Sequence, residues 1–295
     1  MRDFVLSCCS TADLTQEQLN EYGIEHICFH FELDGKVYAD DLGKSMNFDD
    51  FYSAMSQGAE TKTSQVNATE FEEYFRTFLE QGKDILHVCL SSGLSGVFNS
   101  AMIAKMELED EFPDRKILVI DGLGASGGYG LMMLTAAKMA DGGATIGELY
   151  DWFEKNKLKM HHWFFSTDLT FYVKGGRVSK TSGFVGNLLN ICPLLNMDNE
   201  GHLVPRFKIR TKRKVKESII EKMLEHAEGG KDYSGKCLIT HSACEEDAKD
   251  VAALVKENFP KLDGEPIINY IGTTIGSHTG PGTVALFFWG DERID

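Results

Sequence analysis

Three stretches of this chain gather hydroxyl, amide and imidazole groups. The densest is Ser91-Ser92-Gly93-Leu94-Ser95-Gly96. Its hydroxyls are neutral donors for an anion, and its glycines let a ligand approach the backbone closely. A helix opening at this point would add its first amides, which favour a phosphate or carboxylate. The same residues also suit a helix capped by serine with no ligand, and this stretch alone leaves both readings open. Thr61-Lys62-Thr63-Ser64-Gln65-Val66-Asn67 is a second polar cluster. Asn67 with Glu70 reads as a capping box, which leaves Thr63 and Ser64 without a capping task. The third stretch, residues 272–282, is rich in glycine, contains Pro281 and reads as a constrained loop. His278 is its only side chain that titrates near neutral pH.

Other constellations carry less chemistry. Asp121-Gly122-Leu123-Gly124-Ala125-Ser126-Gly127-Gly128 matches the glycine spacing of a dinucleotide site. It lies in mid-chain, however, and the acidic residue at about the right distance, Asp141, sits in a glycine turn rather than at a strand end. Glycines that allow close strand–helix packing are the better reading. His161 and His162 adjoin on an expected strand and point to opposite faces, so one metal would not take both. The seven cysteines are odd in number, scattered and free of any CxxC pair, which reads as reduced, mostly buried thiols. No metal and no cofactor is expected.

The elements that must hold these groups follow from apolar periodicity. Residues 85–90 are apolar but for His87 and read as a strand buried on both faces, ending at Ser91. A helix follows over 97–108, with Phe98, Met102 and Met106 on one face. Residues 4–7 read as a first strand, with Cys8 and Cys9 in the turn after it, and 24–33 as a second extended segment. Asp34-Gly35 signals a hairpin into residues 36–38. Asn47, Asn67, Thr145 and Thr211 are placed to cap helices. Further strands are expected at 116–120, 160–165, 203–209, 237–240, 267–271 and 284–289. The texture changes near residue 158, from regular α/β alternation to a more mixed, glycine-interrupted arrangement. Two domains are therefore expected, 1–158 and 159–295.

Composition narrows the function. The 42% hydrophobic and 25% charged content of the 295 residues is that of a folded protein. A net charge of −15 argues against nucleic-acid binding. No apolar run approaches a membrane span and no leader is evident, so a cytoplasmic protein with at most transient membrane contact is expected. Residues 158–214 reverse the charge balance, with ten Lys and Arg against three Asp and Glu. A basic island in an acidic protein suits a particular partner, or simply a solvated face.

Taken together, the chain resembles the DegV family of bacterial lipid-binding proteins. The resemblance rests on Ser10-Thr11-Ala12-Asp13-Leu14, Thr63-Ser64-Gln65, Ser91-Ser92 with Leu94-Ser95-Gly96, and Lys174-Gly175-Gly176-Arg177. It rests also on Leu188-Leu189-Asn190-Ile191 with Pro193, and on His278 with Gly280-Pro281-Gly282. Two departures stand out. Cys8-Cys9 occupies the place where the family usually has Thr-Asp, which removes a carboxylate near the site, and Val66 stands where proline is usual.

The resemblance implies a two-domain α/β fold, an N-terminal Rossmann-like parallel sheet with helices followed by a C-terminal α+β domain. It implies a long-chain fatty acid whose carboxylate is held by Thr63, Ser95 and His278, with Ser64, Ser92 and Gly96 as neighbours. Protonated His278 would add a charge-assisted bond, and residues 184–195 with Phe164-Phe165 would wall the tail. In the family the acid is presented to a separate fatty-acid kinase for acyl-phosphate formation in phospholipid synthesis. Arg177, Arg206 and Lys208 would then dock that kinase or lie near its nucleotide phosphates. The protein itself would be a carrier and not an enzyme. The rivals are a hydrolase using Ser95 and His278, for which no GxSxG elbow is present, and an oxidoreductase using Gly122, Gly124 and Gly127. A different lipid is a further alternative.

Overall fold

In the computed structural model, which describes residues 2–179 and 191–294, the apolar runs form two large sheets and a small one. The first sheet is parallel and contains β1 (Phe4–Cys9), β2 (Ile24–Ile27), β6 (Asp84–Cys89) and β7 (Ile117–Asp121), in the order β2-β1-β6-β7. Cys8 and Cys9 lie inside β1 rather than in the turn, because both side chains are buried against neighbouring strands. The segment 24–33 is broken in two. After β2 the chain leaves the parallel sheet, and β3 (His30–Leu33) joins a small antiparallel sheet with β4 (Lys36–Ala39) and β5 (Thr61–Ser64). The β3–β4 hairpin turns at Asp34 and Gly35, both with positive φ (48° and 82°), which Asx and glycine tolerate. The polar strand β5, with Thr63 and Ser64, has no apolar alternation to betray it.

The second large sheet is mixed, in the order β10-β9-β8-β13-β11-β12. Its strands are β8 (Met160–Ser166), β9 (Ile191–Met197), β10 (Leu203–Arg210), β11 (Leu238–His241), β12 (Ile267–Tyr270) and β13 (Thr283–Trp289). The helices are α1 (Gln16–Glu21), α2 (Phe48–Ser56), α3 (Ala68–Leu79), α4 (Val97–Glu111), α5 (Gly127–Asp141), α6 (Ile146–Asn156), α7 (Thr170–Lys174), α8 (Lys212–His226), α9 (Glu245–Asn258) and α10 (Thr273–Thr279). Asn47, Asn67, Thr145 and Thr211 cap α2, α3, α6 and α8 through their side chains, as their positions predict. Residues 272–282, expected as a loop, contain α10, which runs between Gly272 and the positive-φ Gly280. In α4 the inward face is Val97, Ala101, Ala104 and Leu108. Met106 points to solvent and Phe98 and Met102 lie at the boundary, because the small residues let α4 approach its neighbours closely.

The glycine-rich turn at 122–128 packs rather than binds. A Cβ on Gly128 would lie 2.0 Å from His162 Nε2, and one on Gly127 2.2 Å from Leu238 Cδ2. Their absence lets α5 run buried along most of its length between the two large sheets. One apolar cluster consequently joins β1, β6 and β7 to Leu238, Ala285 and Phe287 of the mixed sheet. On the other face of that sheet, Trp163, Phe165, Leu286 and Phe288 pack under α8 and α9. Alternation along β8 thus sends His162 and Phe164 toward the centre and His161, Trp163 and Phe165 outward.

Candidate functional site

Between the two large sheets lies a cavity of about 520 Å³, within the range of small-molecule sites. It opens where β6 and β7 end, the position at which open α/β sheets bind ligands. Most of its wall is apolar, supplied by Phe29, Leu90, Phe164, Met197, Leu203 and Phe287. One end is polar and carries Thr63, Ser64, Gln65, Ser95, Gly96, Arg177 and His278. Of the expected carboxylate-binding residues, Thr63, Ser64, Ser95, Gly96 and His278 therefore meet at one place. Ser92 does not. It is exposed outside the wall, its amide donating to Asp121 Oδ1 at 3.1 Å.

His278 is held at one of its two ring nitrogens. Its Nε2 is 2.8 Å from Thr63 Oγ1, while Nδ1 is buried without a partner. Burial, aided by the Arg177 charge, pulls the imidazole down to about 4, which favours the neutral ring near pH 7. Two further cavity groups, Thr274 Oγ1 and Thr279 Oγ1, are also buried without hydrogen-bond partners. Buried polar atoms are costly unless satisfied, so three such atoms on one short helix suit a polar ligand group. Thr274 and His278 are four residues apart on α10. That spacing was visible in the sequence, but only the helix turns it into one face.

The position of α10 is set by two buried carboxylates. Asp13 accepts from Gly272 N at 2.9 Å and from Ser126 Oγ, while Asp40 accepts from Thr273 Oγ1 at 2.8 Å and Ser10 Oγ at 3.1 Å. Carboxyl oxygens at a helix start accept from its free backbone amides. Burial, and then the neighbouring Asp40 charge, raise the Asp13 carboxyl well above the usual range. Ser126 sits at φ 54°, ψ −148°, a conformation costly for a residue with a side chain, and lines the cavity.

The serine loop combines both readings of its sequence. Ser95 Oγ donates to Gln65 Oε1 at 2.9 Å and accepts from Val97 N at 3.2 Å, so it helps to cap α4 while facing the cavity. Ser91 is wholly structural, donating to Gly201 O at 2.9 Å in the β9–β10 turn. Gly93 permits that contact, since a Cβ there would lie 2.8 Å from the Glu200 and Gly201 carbonyl oxygens. Ser95 bonds to Gln65 and His278 to Thr63, so neither is engaged as nucleophile and base with the other. Gln65, in the Thr-Ser-Gln motif, was not singled out from sequence, yet it bridges Ser95 and Ser100.

The three basic residues separate. Arg177 lines the cavity and donates to Gly175 O at 2.5 Å and Leu94 O at 2.8 Å, and burial lowers its pKa. It is half-buried and forms part of the cavity wall. Arg206, on β10, donates to Asn196 Oδ1 at 2.8 Å, and Lys208 is exposed farther along the strand. Neither contributes to the wall. Phe164 lines the cavity, whereas Phe165 points into the opposite core. Of the expected tail wall 184–195, residues 184–190 lie outside the described residues, as does the Leu188-Leu189-Asn190 motif. Cys192, Leu194 and Leu195 are buried but do not line the cavity.

The chain is similar to known proteins along nearly its whole length. A family model described as "Uncharacterised protein, DegV family" matches residues 9–291. A DegV domain-containing protein of Clostridium perfringens is 35% identical over 293 residues, covering 99% of each chain. A fatty acid-binding protein of Thermotoga maritima is 33% identical, covering 94% of each. Among solved structures, a DegV family protein from Thermus thermophilus, reported for its fatty acid binding, is 26% identical with a TM-score of 0.86, covering 99% of this chain and all of the other. The fatty acid kinase B3 protein of Streptococcus pneumoniae, loaded with linoleic acid, shares the fold at 22% identity and a TM-score of 0.84, covering 98% and 99% of the two chains. The family model and the 35% identity over nearly the whole length place this chain in the DegV family.

Proposed function

We propose that this chain binds a long-chain fatty acid and presents its carboxylate to a separate ATP-dependent fatty-acid kinase. The observation that carries the reading is the cavity itself, an apolar chamber with one polar end where His278 Nδ1, Thr274 Oγ1 and Thr279 Oγ1 await partners. The carboxylate takes Thr63, Ser95 and His278 as its holders, with Ser64 and Gly96 at the mouth. The tail runs along Phe164, Met197 and Phe287. Burying about fifteen methylenes would contribute roughly 12 kcal/mol before ordering costs, enough for tight retention. Residues 1–158 and 159–295 act as the two walls of the site. The likeness to fatty-acid-binding relatives supports the ligand, and the fold shared with the kinase B3 protein is in keeping with the partner. Arg177 faces the carboxylate end and holds the serine loop through Leu94, while Arg206 and Lys208 offer positive charge outside it for an acidic kinase surface.

The test is mass spectrometry of protein purified without added lipid, native first and then after solvent extraction. One fatty acid per chain is expected. An empty protein that takes up no fatty acid, or one holding another lipid class, would overturn the ligand. Arg177→Ala should lower both retention and phosphate acceptance, because the Leu94 tie is lost. Arg206→Ala should leave retention unchanged and reduce phosphate acceptance by the kinase alone.

A further inference from the structure

We infer that His161, His226 and Asp291 form a binding site for one divalent ion of the zinc class, on the face of the mixed sheet away from the cavity. His161 leaves β8 on the side opposite His162, and His226 ends α8. Asp291 follows β13. The His161 Nε2 to Asp291 Oδ1 distance is 2.9 Å, and His226 Nδ1 to the same oxygen 3.2 Å. The three donor atoms lie within 4.8 Å of one another. Metal–ligand bonds of about 2.0–2.2 Å put tetrahedral donors roughly 3.3–3.5 Å apart, so small side-chain adjustments complete the geometry.

The aromatic rings around the two imidazoles are nearly parallel to them. His161 neighbours Phe288 (ring centroids 5.2 Å apart, planes at 4°) and His226 (4.9 Å, 20°), and Trp163 neighbours His226 (5.9 Å, 18°). His161 Nε2 is also 3.0 Å from the Asp291 carbonyl oxygen. An ion takes the Nε2 lone pair of the Nδ1–H tautomer, and the Asp291 carbonyl turns away from Nε2 to admit it. Glu225 Oε1 is 3.8 Å from His226 Nε2, the nitrogen left over once Nδ1 is taken, which suits an outer carboxylate. Glu228 and Lys159 line the adjoining opening, Lys222 pairs with Glu225, and buried Arg293 lies two residues beyond Asp291. Two neutral imidazoles and one carboxylate are donors that suit zinc, with the fourth position left to water. An opening of about 570 Å³ lined by His226, Gly290 and Asp291 adjoins the donors and gives an ion access. The bound ion would fasten the chain after β13 to the end of α8, independently of the lipid cavity.

Untagged protein freed of metal, titrated with zinc chloride in a calorimeter, should bind one ion per chain, and cobalt(II) should develop the visible bands of a four-coordinate site. Asp291→Asn and His226→Gln should weaken zinc by more than the roughly 10–100-fold that outer-shell losses cost. His202→Ala, at an exposed histidine beside Asp198 and Glu200, should leave zinc binding intact. Asp291 is exposed, so its variant keeps the fold, and lipid content should be the same in all three variants. Absence of stoichiometric binding, equal affinity in Asp291→Asn and His226→Gln, or loss in His202→Ala would overturn the site. Wild-type protein that binds zinc but takes up no fatty acid would instead count against the carrier reading.

Discussion

His278 shows how one side chain links site and stability. Its pKa is depressed to about 4 by burial and Arg177, whereas the unfolded chain titrates near 6.5. The unfolded state therefore binds the extra proton between those values. The contribution is fully present above about pH 6.5 and is lost as pH falls toward 4. For delipidated protein, urea midpoints from pH 7.5 to 4.5 should fall more steeply in the wild type than in His278→Gln, by roughly 2–3 kcal/mol across the window. Equal slopes would show that His278 is not held neutral. A bound carboxylate 3 Å away would oppose the depression, so loading with fatty acid should shrink the difference. The sequence marked His278 as the titrating group of its stretch. Its protonation state depended on the Arg177 guanidinium, 101 positions earlier in the chain, and on burial by groups from several elements.

At the scale of elements, the glycines after β7 decide how closely α5 can lie against the mixed sheet. His162 is locked there, with Nδ1 3.0 Å from Met160 O and Nε2 accepting from Ala125 N at 3.2 Å. A methyl group at residue 128 would press on that ring with no free rotamer to receive it. Gly128→Ala should cost about 1–3 kcal/mol, read as a lower urea midpoint with an unchanged slope. A midpoint equal to wild type would mean that α5 can move away, and that the glycines are not there for packing. Element types were well marked where capping residues and apolar periodicity agreed, as in α3 and α6. They were poorly marked where polar pairing made the element, as in β5. In α4 the large residues suggested the wrong inward face, because close approach favoured Ala101 and Ala104 over Met106.

At the scale of the whole molecule, the apolar cluster that spans both large sheets couples the two sides of the cavity. Trp152, Trp163 and Trp289 all report on the second half of the molecule or its contact with α6. If the shared core makes unfolding cooperative, tryptophan fluorescence and far-ultraviolet circular dichroism should give coincident urea transitions. Separate midpoints would mean that the halves unfold independently and that the cavity can be opened without losing either. Among the described residues, no helix is long and apolar enough to cross a membrane.

Local chemistry is enough to specify what depends on neighbouring residues. The sequence alone determined the helix caps, the hairpin at Asp34-Gly35, the buried parallel strands and the ordered motifs that identify the DegV family. These rest on backbone conformation and periodic burial, which a window of a few residues encodes. Tertiary structure decided that Thr63, Ser95 and His278 meet at one end of a cavity, that Ser92 stands outside it, and that Arg177 faces inward. It also brought His161 to His226 and Asp291. Those outcomes depend on crossover connections, sheet register and the close seating of α5, and each requires residues scores of positions apart to exclude water from the same space.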